Sequence, residues 1–506
     1  MRRLPLGAIV LLGLFLRIKD IDSNPPELFE DEISGAISAW SAVTTGHDLI
    51  ADHFPLFTTY LGAQLPTYGL LTVPFQAVLG HTILAVRLPA VLLGVAAIVL
   101  LYAVVRALGG GRTVALLSAA VIAVLPWAVQ FGRIGWDNAS YPPLLLAGLL
   151  LLLRALDGRP EREGRARWWL VSAAAVLALT AYTYQIAIVM TPLFVAPVLW
   201  ARRERVARLD PLVLVAGVAI AAAIVAPYLW TFATVPDFRS RTDEIATFAT
   251  GVRGATLERF VVNYAANLSP TFLFVSGDRN LRHGTGQGEL LLWMLPFALI
   301  GIGWSIRHLR RSAVAVVALA WLLAAPLPAA LTNDGVPHAA RSMLELLAWP
   351  VLTAIGTRAA WAVRLPRRRL VQPLAAIGLV VIVLVVVTET ATYYRAMFTT
   401  YPLASAHAWR SGTAATMREV AARTPAGGHV CIGTLSRFTV PHVSRWYLGD
   451  APAFSVFESN GSRCPDSGDI IALPADDSRP AHSTEVATVR DRAGALVARI
   501  WRRDAP

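Results

Sequence analysis

Long apolar runs recur along this chain, and short basic clusters separate them. The runs lie at 4–17, 63–80, 86–106, 113–131, 140–156, 168–184, 186–200, 211–231, 289–306, 312–331, 342–362 and 370–391. Most approach the ~20 residues that a helix needs to cross a bilayer core. The pattern predicts an α-helical polytopic membrane protein. The basic clusters set the sides, because short cytoplasmic loops collect arginine and lysine. They are Arg2-Arg3, Arg106 with Arg112, Arg154 to Arg167, Arg202 to Arg208, Arg307 to Arg311, and Arg364 to Arg369. Successive clusters must lie an even number of crossings apart, and pairs of runs fill most gaps. The first gap holds three runs. Its middle run, 63–80, is interrupted by Pro66 and Pro74. It is therefore assigned to a re-entrant or surface-lying segment on the outer side, where protein must cover its broken backbone. About eleven transmembrane helices result by the ~20-residue criterion.

This map places the N-terminus in the cytoplasm. The first apolar run is followed by Arg17-Ile18-Lys19-Asp20 and not by a small-residue cleavage site, so it reads as an uncleaved helix. Loops 18–85, 132–139, 232–288 and 332–341 fall outside, as does the stretch 392–506. The chain thus divides into a membrane domain at 1–391 and a small extracytoplasmic α/β domain at 392–506. In the latter, short β-like runs occur at Val430–Gly433, Ile470–Leu473 and Glu485–Val489, and Asp491 to Gly494 turns into Ala495–Trp501. Both cysteines, Cys431 and Cys464, lie there. An outer compartment permits a disulfide between them, and two free buried thiols are the alternative.

Composition agrees with the pattern. Of 506 residues, 55% are hydrophobic and 15% charged, with mean hydropathy +0.54, against about 25% charged in soluble domains. The net charge of +12 comes with arginines that sit between apolar runs, without the interleaved aromatics of a nucleic-acid face. Nucleic acid is excluded as a partner on that ground. No H-E-x-x-H, CxxC or Walker pattern appears, so zinc protease and nucleotide hydrolase readings have no support. Gly284 to Gly288 is glycine-rich, but no strand precedes it, which removes a dinucleotide loop.

Candidate chemistry gathers in the outer segments. The polar stretch from Pro25 to Pro66 opens with Glu30-Asp31-Glu32 and carries a second polar cluster, His47-Asp48 and Asp52-His53. A carboxylate there can act as general base. The plainer role is an acidic N-cap for a helix at 33–43. Ile33, Ala36, Ile37, Trp40 and Val43 share one face of that helix, which would let it lie flat on the membrane. Arg133 and Asp137 form either an i,i+4 interfacial ion pair or a phosphate-binding arginine with an orienting acid. Arg279, Arg282 and His283 occupy a turn before a helix, where an anion can be held, unless the turn is an ordinary loop. His338 and Arg341 sit in another outer turn, and Arg341 alternatively only snorkels. A lipid-phosphate substrate would need acids for an acceptor and cations for the leaving group. No cofactor is expected. A divalent metal stays open, because Asp31, Glu32 and Asp137 offer hard oxygen ligands.

These residues together resemble the bacterial GT-C membrane glycosyltransferases of family 39, relatives of the protein O-mannosyltransferases and the lipid A aminoarabinose transferases. The resemblance covers roughly 1–400 and rests on stretches in the expected order. Phe29 to Trp40 with Thr45 to Asp48 is similar to the first-loop Asp-Glu motif. Pro66 to Tyr68 through Arg87 to Pro89 is similar to the surface helix that follows. Phe131 to Asn138, Gly277 to His283 and Pro337 to Arg341 match later outer motifs.

The resemblance implies an inverting hexosyltransferase of the bacterial plasma membrane, acting at its outer face in the cell envelope. Its donor would be a polyprenyl-phosphate-linked monosaccharide and its acceptor an extracytoplasmic glycan, lipid or protein. Asp31 would be the catalytic base and Asp137 a second acid near the donor, with Glu32 beside them. Arg133, His283 and Arg341 would neutralise the departing lipid phosphate, and Arg282 and His338, in the same outer turns, are further phosphate-binding candidates by charge and side. Two places depart from the family pattern: Gln185 and Ile188 stand where a His and an Arg are expected, and Leu65 where a Lys often precedes the proline. A membrane transporter would carry its charges near the bilayer midplane, whereas these lie at helix ends and in loops. An inactive transferase-like scaffold is the other alternative, motivated by the missing cations.

Overall fold

The structure, a computed structural model, describes residues 4–47, 49, 65–157, 163–235, 238, 246, 253–363, 371–433, 440–449, 455–458 and 470–504. Asp48, Asp52, His53, Cys464 and the cluster Arg364 to Arg369 lie outside the described residues. The main helices are α1 (Leu4–Ile18), α2 (Glu30–Thr45), α3 (Pro66–Leu79), α4 (Ile83–Ala107), α5 (Gly111–Val124), α6 (Tyr141–Ala155), α7 (Glu163–Leu179), α8 (Ala187–Ala201), α9 (Pro211–Thr234), α10 (Arg253–Asn267), α11 (Met294–Arg307), α12 (Ala313–Ala324), α13 (Glu345–Trp361) and α14 (Val371–Thr399). Two more, α15 (Thr413–Arg423) and α16 (Val440–Leu448), accompany five strands near the C-terminus.

The contacts divide the chain into two compact units. The first comprises 1–19, 90–133 and 137–395. Among its described residues, the stretches Asp137–Ala155, Pro211–Thr234, Ala313–Ala330 and Ala375–Thr399 are long and apolar enough to cross a membrane, as is Ile83–Ala107, most of which belongs here. Only 11% of the apolar window in α9 is buried, and none of that in α14. Such uncovered apolar helices need lipid around them. Inside this unit α11 and α13 pack backbone to backbone. A Cβ on Gly301 would lie 1.9 Å from the Leu352 carbonyl oxygen, and one on Gly356 would lie 1.8 Å from that of Phe297. Close approach through small residues is how membrane helices gain contact without a hydrophobic driving force.

The second unit comprises 20–89, 134–136 and 396–506. It contains a five-stranded sheet in the order β2-β1-β3-β5-β4, with β1 His429–Ile432, β2 Ser455–Glu458, β3 Ile470–Pro474, β4 Ser483–Arg490 and β5 Leu496–Arg503. β1 runs parallel to β2 and β3, and β5 is antiparallel to β3 and β4. Cys431 on β1 is disulfide-bonded and packs with Ile471 and Trp501. On the other face, Val430, Ile432 and Ile500 share a core with Met417, Val443 and Trp446, with Ile33 and Ile37 from the first loop, and with Val86 at the start of α4. The first loop therefore folds with the C-terminal stretch, whereas the division at 391 read from sequence kept it with the membrane helices.

Two local expectations change. The apolar face of α2 is buried in this protein core, with Ile33 and Ile37 almost inaccessible, and does not lie flat on a membrane. The acids Glu30, Asp31 and Glu32 form the first turn of α2, behind Phe29 as the N-cap. Carboxylates in that turn are favoured by the helix dipole. Pro66 opens α3, where its missing N–H costs nothing, and the helix continues through Pro74. Its 14 residues span only about 21 Å at 1.5 Å each. That is short of the ~30 Å hydrocarbon core. Gly69 lets α3 lie against α2, since a Cβ there would meet the Gly35 carbonyl oxygen at 2.4 Å.

Candidate functional site

In the second unit the acidic turn of α2 is held by two arginines. Arg87 pairs with Glu32 through Nε and Oε1 at 3.0 Å and through Nη2 and Oε2 at 3.1 Å. Arg87 also donates to the carbonyls of Ile21, Pro25 and Glu27. Glu32 accepts further from the N–H groups of Phe29 and Gly135. Both side chains are completely buried. A buried ion pair persists only with its remaining donors and acceptors satisfied, and here they are. This corrects the catalytic placement of Glu32, whose carboxylate is buried and spent on organising the loop.

Glu30 pairs with Arg410 at 2.7 Å. The Arg410 guanidinium lies over the Phe29 ring at 5.9 Å, and Arg410 itself has left-handed backbone, φ 49°. Trp409 packs edge-on to Phe29, stacks on Trp136 and lies under Arg87. One turn earlier, Glu27 accepts from the N–H groups of Gly412 and Ala414 at the start of α15, and from the Tyr447 hydroxyl. Burial holds the Glu27 carboxyl above its usual value, although those hydrogen bonds pull it back. Asp31 is the member of the triplet that keeps partial exposure.

In the first unit the segments 277–289 and 334–341 are sewn together around Asp278. Its Oδ1 accepts from Asn280 N–H, and its Oδ2 accepts from Ala339 N–H at 2.8 Å while lying 2.9 Å from His283 Nδ1. Glu289 Oε1 accepts from the Asp278 N–H, and Asn267 Oδ1 from the His338 N–H. The His283 and His338 rings stack with centroids 4.5 Å apart. Burial, with the charges of His283, Arg341 and Arg282 around it, holds His338 well below its usual value, so its imidazole is neutral. Arg282 is held by Asn280 Oδ1. Arg341 donates to Thr332 and pairs with Asp334 at 2.9 Å. Arg282, His283, His338 and Arg341 are thus brought together. Asp137 opens the short turn 137–140 and its Oδ1 accepts from the Asn138 N–H.

Arg133 is not part of this group. It is completely buried and donates to the carbonyls of Leu16, Arg17 and Lys19 at the end of α1. The free carbonyls of a helix C-terminus explain it better than a phosphate does. With those carbonyl partners and no exposure, Arg133 is a structural residue, and the donor-binding role does not fit that geometry. Asp278, Glu289 and Asn267 were missed from sequence. The Gly277-Asp278 dipeptide signalled a turn, and Gly277 has φ 61°, but nothing in the sequence aimed Asp278 at position 339.

The donor atoms of Asp278, His283 and His338 lie within 4.8 Å of one another. Two imidazoles and a carboxylate suit Zn²⁺ or a similar divalent ion. Without an ion, the same set is a carboxylate–imidazole pair stacked on a neutral histidine.

The fold is the helical membrane fold of the GT-C glycosyltransferases. The ArnT structure from Cupriavidus metallidurans bound to undecaprenyl phosphate superimposes with TM-score 0.59 at 14% identity, covering 99% of this chain and 98% of that one. Its apo form gives TM-score 0.59 at 15% identity, covering 98% and 97%. The apo oligosaccharyltransferase of Archaeoglobus fulgidus gives TM-score 0.56 at 15% identity. The match covers 89% of this chain but spans 64% of the archaeal one. In sequence, residues 66–230 match the family described as dolichyl-phosphate-mannose-protein mannosyltransferase. That segment includes Arg87, Arg133 and Asp137 but neither Asp31 nor the 277–341 group. No curated protein sequence matches the chain.

Proposed function

We propose that this protein is an inverting glycosyltransferase that moves a monosaccharide from a polyprenyl-phosphate carrier to an extracytoplasmic acceptor. About eleven helices would cross the membrane by the ~20-residue criterion, with the N-terminus inside and the C-terminal α/β region outside. Asp31 is the base that takes the proton of the acceptor hydroxyl. Arg282 and Arg341 supply positive charge to the departing lipid phosphate, and His283 and His338 supply ring N–H donors. Asp137 sits beside the donor sugar.

The observation that carries this reading is the division of labour in the acidic turn. Arginines claim Glu30 and Glu32, and partial exposure is left to Asp31. Support for the donor class comes from the fold neighbour that holds undecaprenyl phosphate and from an archaeal neighbour in complex with dolichol-phosphate.

The test is release of labelled sugar from synthetic polyprenyl-phosphate mannose and glucose by purified protein. Turnover of either donor that disappears in Asp31→Asn supports the proposal. Turnover that survives the substitution moves the base elsewhere. Failure of the wild type with both donors and a range of outer acceptors would favour the scaffold.

A further inference from the structure

The candidate donor group sits at one end of α8, α11 and α12. The opposite ends of those helices carry a different feature. Three connections far apart in sequence, 108–110, 202–210 and 308–312, converge there on a groove of about 1140 Å³. Arg202, Arg203, Arg205, Arg310 and Arg311 line it, against one acid, Glu204. A neighbouring cavity of about 380 Å³ shares Arg202 and Arg205 and adds Arg106 and Arg154, with Asp157 as its one acid.

The charge bias that orients membrane proteins accounts for arginines in these connections. It does not account for their convergence on one groove, where like charges repel. Among the described residues, no ion pair joins Arg203, Arg205, Arg310 or Arg311 to a carboxylate. Arg202 Nη2 donates to the Ala107 carbonyl at 2.7 Å, which ties the end of α8 to the end of α4 and shapes the wall. Arg203 lies over the Trp200 ring at 5.2 Å, and that ring is 64% exposed. A tryptophan and an arginine at a helix end mark the headgroup level of a bilayer.

Apart from Ser312, whose hydroxyl caps α12, the rest of the lining is apolar, including Leu108, Trp200, Leu309 and Val316. Arginine forks fit phosphate oxygens, and the apolar lining fits the start of acyl chains. A free phosphate would leave that lining wet. We infer that this groove binds the headgroup of an anionic phospholipid of the host membrane. The ligand would neutralise the converging arginines and hold the 202–210 and 308–312 connections together. Basic pockets between helices on one face of the membrane have this chemistry in general.

The experiment is native mass spectrometry of the purified full chain with defined lipids. Phosphatidylglycerol is compared with phosphatidylcholine, and inorganic phosphate serves as the soluble arm. Wild type should retain phosphatidylglycerol over phosphatidylcholine. The combined change Arg203→Gln, Arg310→Gln, Arg311→Gln should cut that preference by ~10-fold or more, given three basic groups removed near the headgroup. If those losses disturb insertion, Arg203→Lys, Arg310→Lys, Arg311→Lys keeps the charge and should still weaken retention several-fold, because lysine cannot make the fork. No preference in wild type, or the same preference in every inserted variant, would overturn the inference. So would equal thermal stabilisation by inorganic phosphate and by lipid at matched phosphate concentration.

Discussion

Arg87 and Arg133 differ from Arg203, Arg205, Arg310 and Arg311 in everything but their chemistry. The first two are among the largest fully buried side chains of the described residues. Their donors end on carbonyls, and in Arg87 also on the Glu32 carboxylate. The other four are exposed, line a groove and, among the described residues, form no ion pair with an acid. An arginine whose donors are spent inside the fold is scaffold, however close its neighbours lie to a site. One whose donors meet solvent at a helix end is available for a ligand. Position along the chain separates these cases poorly: Arg133 is a phosphate-binding candidate by its place in the sequence, and its burial assigns it to the fold.

The largest expected effect is on Arg87. Arg87→Ala leaves Glu32 charged, buried and unpaired, which costs about 3–5 kcal/mol. A large drop in the thermal midpoint in detergent, with protease cleavage within 20–89, is the expected readout. Near-wild-type stability would break the contrast. Arg133→Ala comes next, since three carbonyls at the end of α1 lose a charged donor. At about 1.5–3 kcal/mol for one hydrogen bond to a charged group, it should lower stability while donor KM stays unchanged in the folded fraction. A raised KM without loss of stability would return Arg133 to the phosphate.

A smaller, pH-dependent effect is expected at Glu27. Its folded value is raised, so its contribution is fully present below the unfolded value near 4.3 and is lost as pH rises through the folded value. Denaturation between pH 4.5 and 8 should therefore shift in favour of Glu27→Gln as pH rises, by at most about 1.4 kcal/mol per pH unit. A constant difference across that range would remove the burial argument. Smallest of all, Arg310→Ala should change stability by no more than about 0.5 kcal/mol. A larger loss would place it with the buried pair.

The helices were legible because apolar length leaves little choice inside a bilayer. So were the strands at 470 and 485, where short apolar runs meet turn residues. The partnership of the first loop with the C-terminal stretch was not legible. It depends on Glu27 meeting the start of α15 and Glu30 meeting Arg410, pairs separated by more than 370 residues, and no local pattern encodes such a meeting. The acidic triplet was seen as a unit, but which acid keeps exposure depends on Arg87 and Arg410. In the His283 and His338 group both histidines are candidates by sequence, each close to an arginine in a turn. Asp278, which organises them, looked like any acid in a glycine-rich turn.

If Asp31 is the base and Arg133 holds the fold, the two substitutions must part company. The direct measurement is sugar release from polyprenyl-phosphate donor per folded molecule, for Asp31→Asn and Arg133→Ala side by side. Asp31→Asn should stay folded and lose turnover by ~10²-fold or more, as expected for a general base, while Arg133→Ala should keep the wild-type donor KM. Full turnover by Asp31→Asn, or a donor defect confined to well-folded Arg133→Ala, would contradict that assignment of roles.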